Sequence, residues 1–392
     1  MGLTGGTISL VQYMVGGEFP AGDATEWLRK RLLRGRFTPI DDVAAEKAAG
    51  WVALEDLQNH AFDDARLFLR HPYVCLAYRR DTRKVPKAIF NARVEQACRE
   101  WLKQNRQARR IPKDRRNEIR ELVHRDLLTK TLPAPALTDF VWNTATGALM
   151  VGALAVTELD AIEKLFKHCF EALSLDMIHP FARAQRLVEP KRRAALAQLN
   201  KARTDHLLDQ IQDNLWLGQE FLLWLLHRSI EGQTDYAIRS VGPAEAGEPF
   251  RAHIDSRLVV VGPGAEGGVQ KIVFTGPQSR FRELGAALSE GKALTEATLF
   301  FERAEEVWRL TLKGDTFAVG SFKTPKVRLD IEESADEADE REAYFYEKMA
   351  LVEVGLQMLD SLLGEFLEAR LSRDWAETSQ ELKGWARRLA KV

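Results

Sequence analysis

The chain has 392 residues, 45% of them hydrophobic and 29% charged, and a formal net charge of −1; that composition excludes wholesale disorder, and the length suits two or three lobes with ordinary cores. Cys75, Cys98 and Cys169 stand far apart with no C-x-x-C spacing, which excludes a zinc ribbon or a disulfide framework. The most apolar run, FLLWLLH at 221–227, is too short to span a bilayer and no charged-then-apolar leader opens the chain, so a cytoplasmic protein is expected.

The opening GGTISLVQYMVGGEF predicts a strand, and DATEWLRKRLL predicts a helix with Asp23 as its N-cap. RFTPI, GWVAL and ARLFLRHPYVCLAYRRD follow as strand-like runs. From Pro86 onward Phe90, Val94, Ala97, Cys98, Trp101 and Leu102 recur at helical spacing and define a buried face. On another face Arg99, Lys103, Arg106 and Arg110 recur at i, i+4, i+7 and i+11. Pro112 suits a helix first turn, and a second helix is expected to about Lys130. Its apolar positions are Ile119, Leu122, Val123 and Leu127, while Lys113, Arg116, Arg120 and His124 form its basic line.

DFVWNTATGALMVGA then reads as a hairpin turning near Thr146-Gly147, TELDAIEKLFKHCFEAL as a helix and LDMIHPFARA as a further strand. A helical tract over 190–230 precedes a β-rich region with Gly-rich turns. The final helix, from about Glu340, sets Met349, Val352, Leu356, Leu359, Leu363 and Phe366 on spacings of three and four. That pattern fits a core-facing helix and a self-association surface equally.

Charge is segregated along this chain. Between Arg79 and Lys130 there are 17 Lys or Arg against 7 Asp or Glu, and 183–203 holds 7 basic residues against Glu189 alone. Nine acidic residues oppose Arg341 within 329–347. A basic surface built from two helices and their turn is the footprint of phosphate contacts, and arginine suits bidentate binding. Enzyme signatures are weak by comparison. GPGAEGG at 262–268 lacks the Lys and Ser/Thr of a Walker loop, there is no H-x-x-x-H, H-E-x-x-H or G-x-S-x-G, and Asp41-Asp42 and Asp63-Asp64 are ordinary turn pairs. No cofactor or metal site is expected.

The order RFTPI, GWVAL, RRDTRKVP, a basic helix pair closing on LLTKTLP, VWNTATGALMV, AIEKLFKHCFEAL and LDMIHPFARA resembles the RdgC family of bacterial recombination-associated DNA-binding proteins. The likeness runs from about residue 30 to 185 and resumes weakly in FLLWLLHRS, GGVQKIVFTG, EGKALTEATLFF and the last helix. It implies a ring-shaped homodimer around double-stranded DNA, nucleoid-associated, binding with little sequence preference and restraining RecA-dependent strand exchange. The family's basic tip maps onto Arg109, Arg110, Lys113, Arg115 and Arg116. Two departures stand out: the aromatic that closes the family's ring after Leu-Pro is absent, leaving Leu137 as a smaller apolar plug, and the family's basic cluster after Gly267-Gly268 is reduced to Lys271, Arg280 and Arg282. PKRRAALAQLNKAR at 190–203 is a candidate compensation.

The expected fold is α+β: a central αβ lobe with antiparallel strands (1–80 and 136–185), a projecting helical tip (81–135), and a mixed α/β base lobe (186–392) ending in a long helix. Candidate DNA contacts are Lys84, Lys87, Arg99, Lys103, Arg106, Arg109, Arg110, Lys113, Arg115, Arg116 and Arg120, with Lys191, Arg192, Arg193 and Lys271 in the base. Candidate dimer contacts are Leu137, Leu356, Leu359 and Leu363. The alternatives are a metal-dependent DNA exonuclease and a scaffold that captures recombination proteins through 329–347; no membrane partner is expected.

Overall fold

The computed structural model describes residues 2–20, 24–264, 267–276, 282–329 and 337–391. Asp23, Arg280 and the 330–336 part of the acidic stretch lie outside the described residues. In chain order the elements are β1 (Ile8–Gly16), α1 (Thr25–Arg34), β2 (Lys47–Ala53), β3 (Leu69–Arg70), β4 (Tyr73–Thr82), α2 (Lys87–Gln104), α3 (Lys113–Thr129), β5 (Ala134–Asn143), β6 (Ala148–Val151), α4 (Val156–Cys169) and β7 (Ser174–Met177). They continue with α5 (Pro180–Leu187), α6 (Arg193–Gln198), α7 (Leu207–Asp213), α8 (Leu215–Ile230), β8 (Asp235–Ala237), β9 (Pro249–Pro263), β10 (Val269–Thr275), α9 (Arg282–Ser289), β11 (Ala293–Arg303), β12 (Glu306–Lys313), β13 (Val319–Lys323), α10 (Glu337–Arg370) and α11 (Trp375–Leu389). The fold is α+β with antiparallel strand pairing. Residues 15–149 and 157–175 form a smaller compact unit, which includes the 81–135 segment; residues 1–14, 150–156 and 176–392 form a larger one.

In the smaller unit β4 lies between β2 and β5, running antiparallel to both. The apolar faces of these strands meet α4 in an aromatic cluster. Trp51 packs 4.9 Å from Phe140, Phe166 lies 4.8 Å from Phe170, and Phe19 meets Trp142 edge-on at 5.2 Å, all centroid distances. Such rings bury large apolar areas and prefer offset or edge-to-face geometry. The strand-like run 65–81 is broken: a short 3₁₀ turn at Ala65–Leu67 and the two-residue β3 precede His71-Pro72, and only β4 is a full strand. RFTPI contributes one isolated bridge, Arg36 to Trp51, in place of a strand.

In the larger unit the strands follow the order β10, β9, β11, β12, β13, β1, with β8 also on β9. Apolar side chains of α10 are buried all round it, as befits a helix enclosed by its own protomer. Leu359 and Leu363 have no exposed surface and Leu356 is 5% exposed. These three residues therefore belong to the core, which leaves almost no side-chain surface at them for the expected dimer contact.

Two further expectations change. LDMIHPFARA is a strand only as far as Met177, because Pro180, with its fixed φ and missing N–H, opens α5. The tract 190–230 is interrupted between its helices. There Asn214 accepts from the Lys201 backbone N–H at 3.1 Å and donates to Asn200 Oδ1 at 2.7 Å, local bonds that compete with helical ones. Helices α9 and α11 are additions to the expected elements.

Candidate nucleic-acid interface

The β4 and β5 ribbon carries the basic helices. Its register runs from Tyr73 opposite Asn143 to Thr82 opposite Ala134, so the chain leaves the ribbon into α2 and returns to the same end from α3. The ribbon's end is fixed by buried charge. Asp81, 1% exposed, receives Arg79 in a two-pronged pair at 2.8 and 2.7 Å, and the Arg79 guanidinium lies 4.1 Å over Phe37. Arg83, also buried, donates to the carbonyls of Val43 and Asp41 at 2.6 and 3.0 Å. A bidentate pair at low exposure holds its geometry far better than a surface pair does.

Helices α2 and α3 form a hairpin: Phe90 near the start of α2 meets His124 near the end of α3 edge-on, 5.8 Å between ring centres. Their shared core is thin, with Val94, Ile119 and Leu128 as its buried members. Leu122, placed by spacing on the apolar face, is 57% exposed. Conversely Arg120, placed on the basic line, lays its guanidinium 5.1 Å over Phe90. The cation thus packs across the helix seam although the side chain is exposed.

Helix α2 stops at Gln104. The Asn105 side chain donates to the Trp101 carbonyl at 2.9 Å, as does the Asn105 backbone N–H at 3.0 Å, closing the last turn. Arg106 and Arg110, expected as later members of the α2 stripe, therefore sit in the connection 105–112 with Arg109. Lys113, Arg115, Arg116 and Arg120 are on α3 as expected, and Lys113 and Arg116 occupy its first turn.

Every candidate cation here is exposed: Lys84, Lys87, Arg99, Lys103, Arg106, Arg109, Arg110, Lys113, Arg115, Arg116 and Arg120. Two are engaged on the surface, Arg99 with Glu95 at 2.5 Å and Arg115 with Glu118 at 2.6 Å. Among the described residues, Lys84 and Lys87 at the hairpin's base form no ion pair, nor do Lys103, Arg106, Arg109, Arg110, Lys113 and Arg116 at its far end. The latter six thus stand together at one end of the helical hairpin with no ion pair among the described residues, an arrangement that suits contact with anions. Arg93 and Arg125 are also exposed on these helices, outside the spacing that the sequence reading followed. A count of charge over the whole segment includes both, whereas a search for single-face stripes omits them.

The remaining candidates belong to the larger unit. Lys191 pairs with Glu189 at 2.7 Å, Arg192 donates to the Glu368 carbonyl at 2.8 Å, and Arg193 is exposed. Lys271 is exposed on the edge strand β10. Leu137 is 44% exposed on β5, opposite Arg79 in register, whereas Leu132 in the return from α3 is 87% exposed. Among the described residues no group of three or more His, Cys, Asp or Glu is placed to hold a metal ion, and no helix is long and apolar enough to cross a membrane.

Residues 9–188 match a family model that bears the description "Putative exonuclease, RdgC". Comparison with curated proteins finds no match.

Proposed function

We propose, from the match of residues 9–188 to the family model described as "Putative exonuclease, RdgC", that the chain is a recombination-associated protein of that family that binds double-stranded DNA without sequence preference. The observation that carries the proposal is the set of six exposed cations at Lys103, Arg106, Arg109, Arg110, Lys113 and Arg116, which form no ion pair among the described residues. Arginine predominates, and its planar fork matches phosphate oxygens. Nothing in the set is arranged as a single helix face that enters a groove, which favours contact with the backbone over base readout. The finer reading is a homodimer closed around duplex DNA that restrains RecA-type strand exchange at the nucleoid, with the exposed Leu132 and Leu137 as its apolar self-contact. Binding to random-sequence duplexes of equal length, measured across NaCl concentrations, tests the proposal: equal affinities with steep salt dependence support it, and a strong preference for one sequence opposes it.

The family description favours a second reading, a DNA exonuclease. Incubation of end-labelled linear duplex with Mg²⁺ or Mn²⁺ separates the two, since a nuclease releases nucleotides with turnover and a binder leaves the strand intact. Capture of recombination proteins through the acidic 329–347 segment is a third reading, and it predicts capture that survives neutralisation of Arg109, Arg110, Arg115 and Arg116.

A further inference from the structure

The larger unit contains a cleft of about 360 Å³ walled by α8, α9, the start of β11 and α11. Its floor is apolar, made by Leu223, Leu288, Leu294, Leu382 and Ala386. Set into this lining is Lys292, whose side chain is 2% exposed and whose Nζ lies 2.6 Å from Glu290 Oε2. Glu290 is itself 66% exposed, so the buried cation is neutralised by a carboxylate that solvent can draw away. At the rim stand Lys383 and Arg387, one turn apart on α11, exposed and without an ion pair among the described residues. The acid in the lining, Glu220, is held by Arg370 at 2.6 Å.

Burial of a lysine head is unfavourable unless an anion meets it. A cleft that combines an apolar floor, a buried cation with a displaceable partner, and two free cations at its mouth asks for a ligand of matching parts. The geometry points to a site for the C-terminal carboxylate of a peptide that ends in a large apolar residue and carries acidic residues just before it. The last side chain fills the floor, the carboxylate replaces Glu290 on Lys292, and the preceding acids face Lys383 and Arg387. A phosphodiester has no apolar group to offer this floor, so the site is distinct from the DNA surface proposed on α2 and α3 and does not rest on it. A volume at the low end of the usual range of about 300–1,000 Å³ for ligand sites suits one side chain with its carboxylate better than a long acyl chain.

The test uses the full chain and a fluorescein-labelled peptide Asp-Asp-Ala-Leu-Phe, followed by anisotropy, beside the same peptide with a C-terminal amide and with decanoate as competitor. Saturable binding is expected, with the amide weaker by about tenfold or more, as loss of a charge-assisted contact implies. Lys292→Met should weaken the free-acid peptide by about the same factor. Because a change at a buried residue can disturb the fold, the surface double variant Lys383→Glu/Arg387→Glu supplies the second arm: it should weaken peptide binding while the unfolding midpoint and duplex DNA affinity stay unchanged. Equal binding of acid and amide, indifference to both variants, or occupancy by decanoate without binding of the peptide would overturn the proposal.

Discussion

The salt dependence of DNA binding offers a test whose size follows from the geometry. Each cation that displaces a condensed counterion from duplex DNA contributes about 0.9 to the slope of log affinity against log salt. With the six cations of 103–116 that form no ion pair among the described residues engaged, the slope is about −5, and affinity falls about a thousandfold as NaCl rises from about 50 to 200 mM. Replacing Arg109 and Arg110 by Gln removes two of these contacts and should make the slope shallower by about 2. Replacing Arg99 and Arg115 by Gln alters formal charge equally, but these side chains already pair with Glu95 and Glu118. Their contribution to counterion release is partly spent, so the slope should change by less than about 1. Fluorescence anisotropy on a random duplex of about 30 base pairs, long enough to cover one site, reads both slopes. Equal slope changes in the two double variants, or none in either, would refute the assignment of DNA contacts by pairing state.

Three further predictions concern the scaffold. Cys75 is buried and its thiol is pushed up to about 12, first by burial, so native protein near neutral pH should be alkylated by iodoacetamide at the half-exposed Cys98 well before Cys75; mass mapping showing the reverse order would contradict the burial. Burial holds the pKa of His179 below its ordinary value of 6.5. The folded chain thus takes up less proton than the unfolded one, and the stability this group contributes is present above pH 6.5 and lost as pH falls below it. The urea midpoint should decline on acidification from about pH 7, and His179→Gln should reduce that decline; an unchanged profile in the variant would oppose this. A Cβ on Gly218 would stand 1.8 Å from the Gly314 carbonyl oxygen, so Gly218→Ala should destabilise the larger unit at the upper end of the about 1–3 kcal/mol typical of overpacking. An unshifted melting curve would show that the approach of α8 to this turn is looser.

Much of the fold was legible in the sequence. The helical spacing of Phe90, Val94 and Trp101, the continuous apolar run YVCLAY and the Pro112 punctuation are each local signals, and α2, β4 and α3 formed where those signals stand. What escaped was decided by single side chains or by tertiary burial. Asn105 ends α2 early by capping Trp101, moving Arg106 and Arg110 from a helix face to a connection. Leu356, Leu359 and Leu363 carry a pattern that suits a coiled coil, but α10 is enclosed by its own unit, and spacing alone contains no record of what packs around a helix. Arg120 read as a free cation, and its place over Phe90 depends on the pairing of two helices that the sequence does not specify. At the basic segment the exposure of the candidates followed from composition, because a dense run of arginine cannot be buried. Which of them lack a partner depends on the positions of Glu95 and Glu118 one helical turn away.

The central claim is that duplex DNA lies against the connection 105–112 and the first turns of α3. Photo-crosslinking tests it directly, with p-benzoylphenylalanine placed in turn at Gln107, at Asn117 and, as a control in the larger unit, at the half-exposed Val307. Adducts with a random-sequence duplex are predicted from positions 107 and 117, lost at high salt and competed equally by unrelated duplexes. Adducts from position 307 with none from 107 or 117 would contradict it.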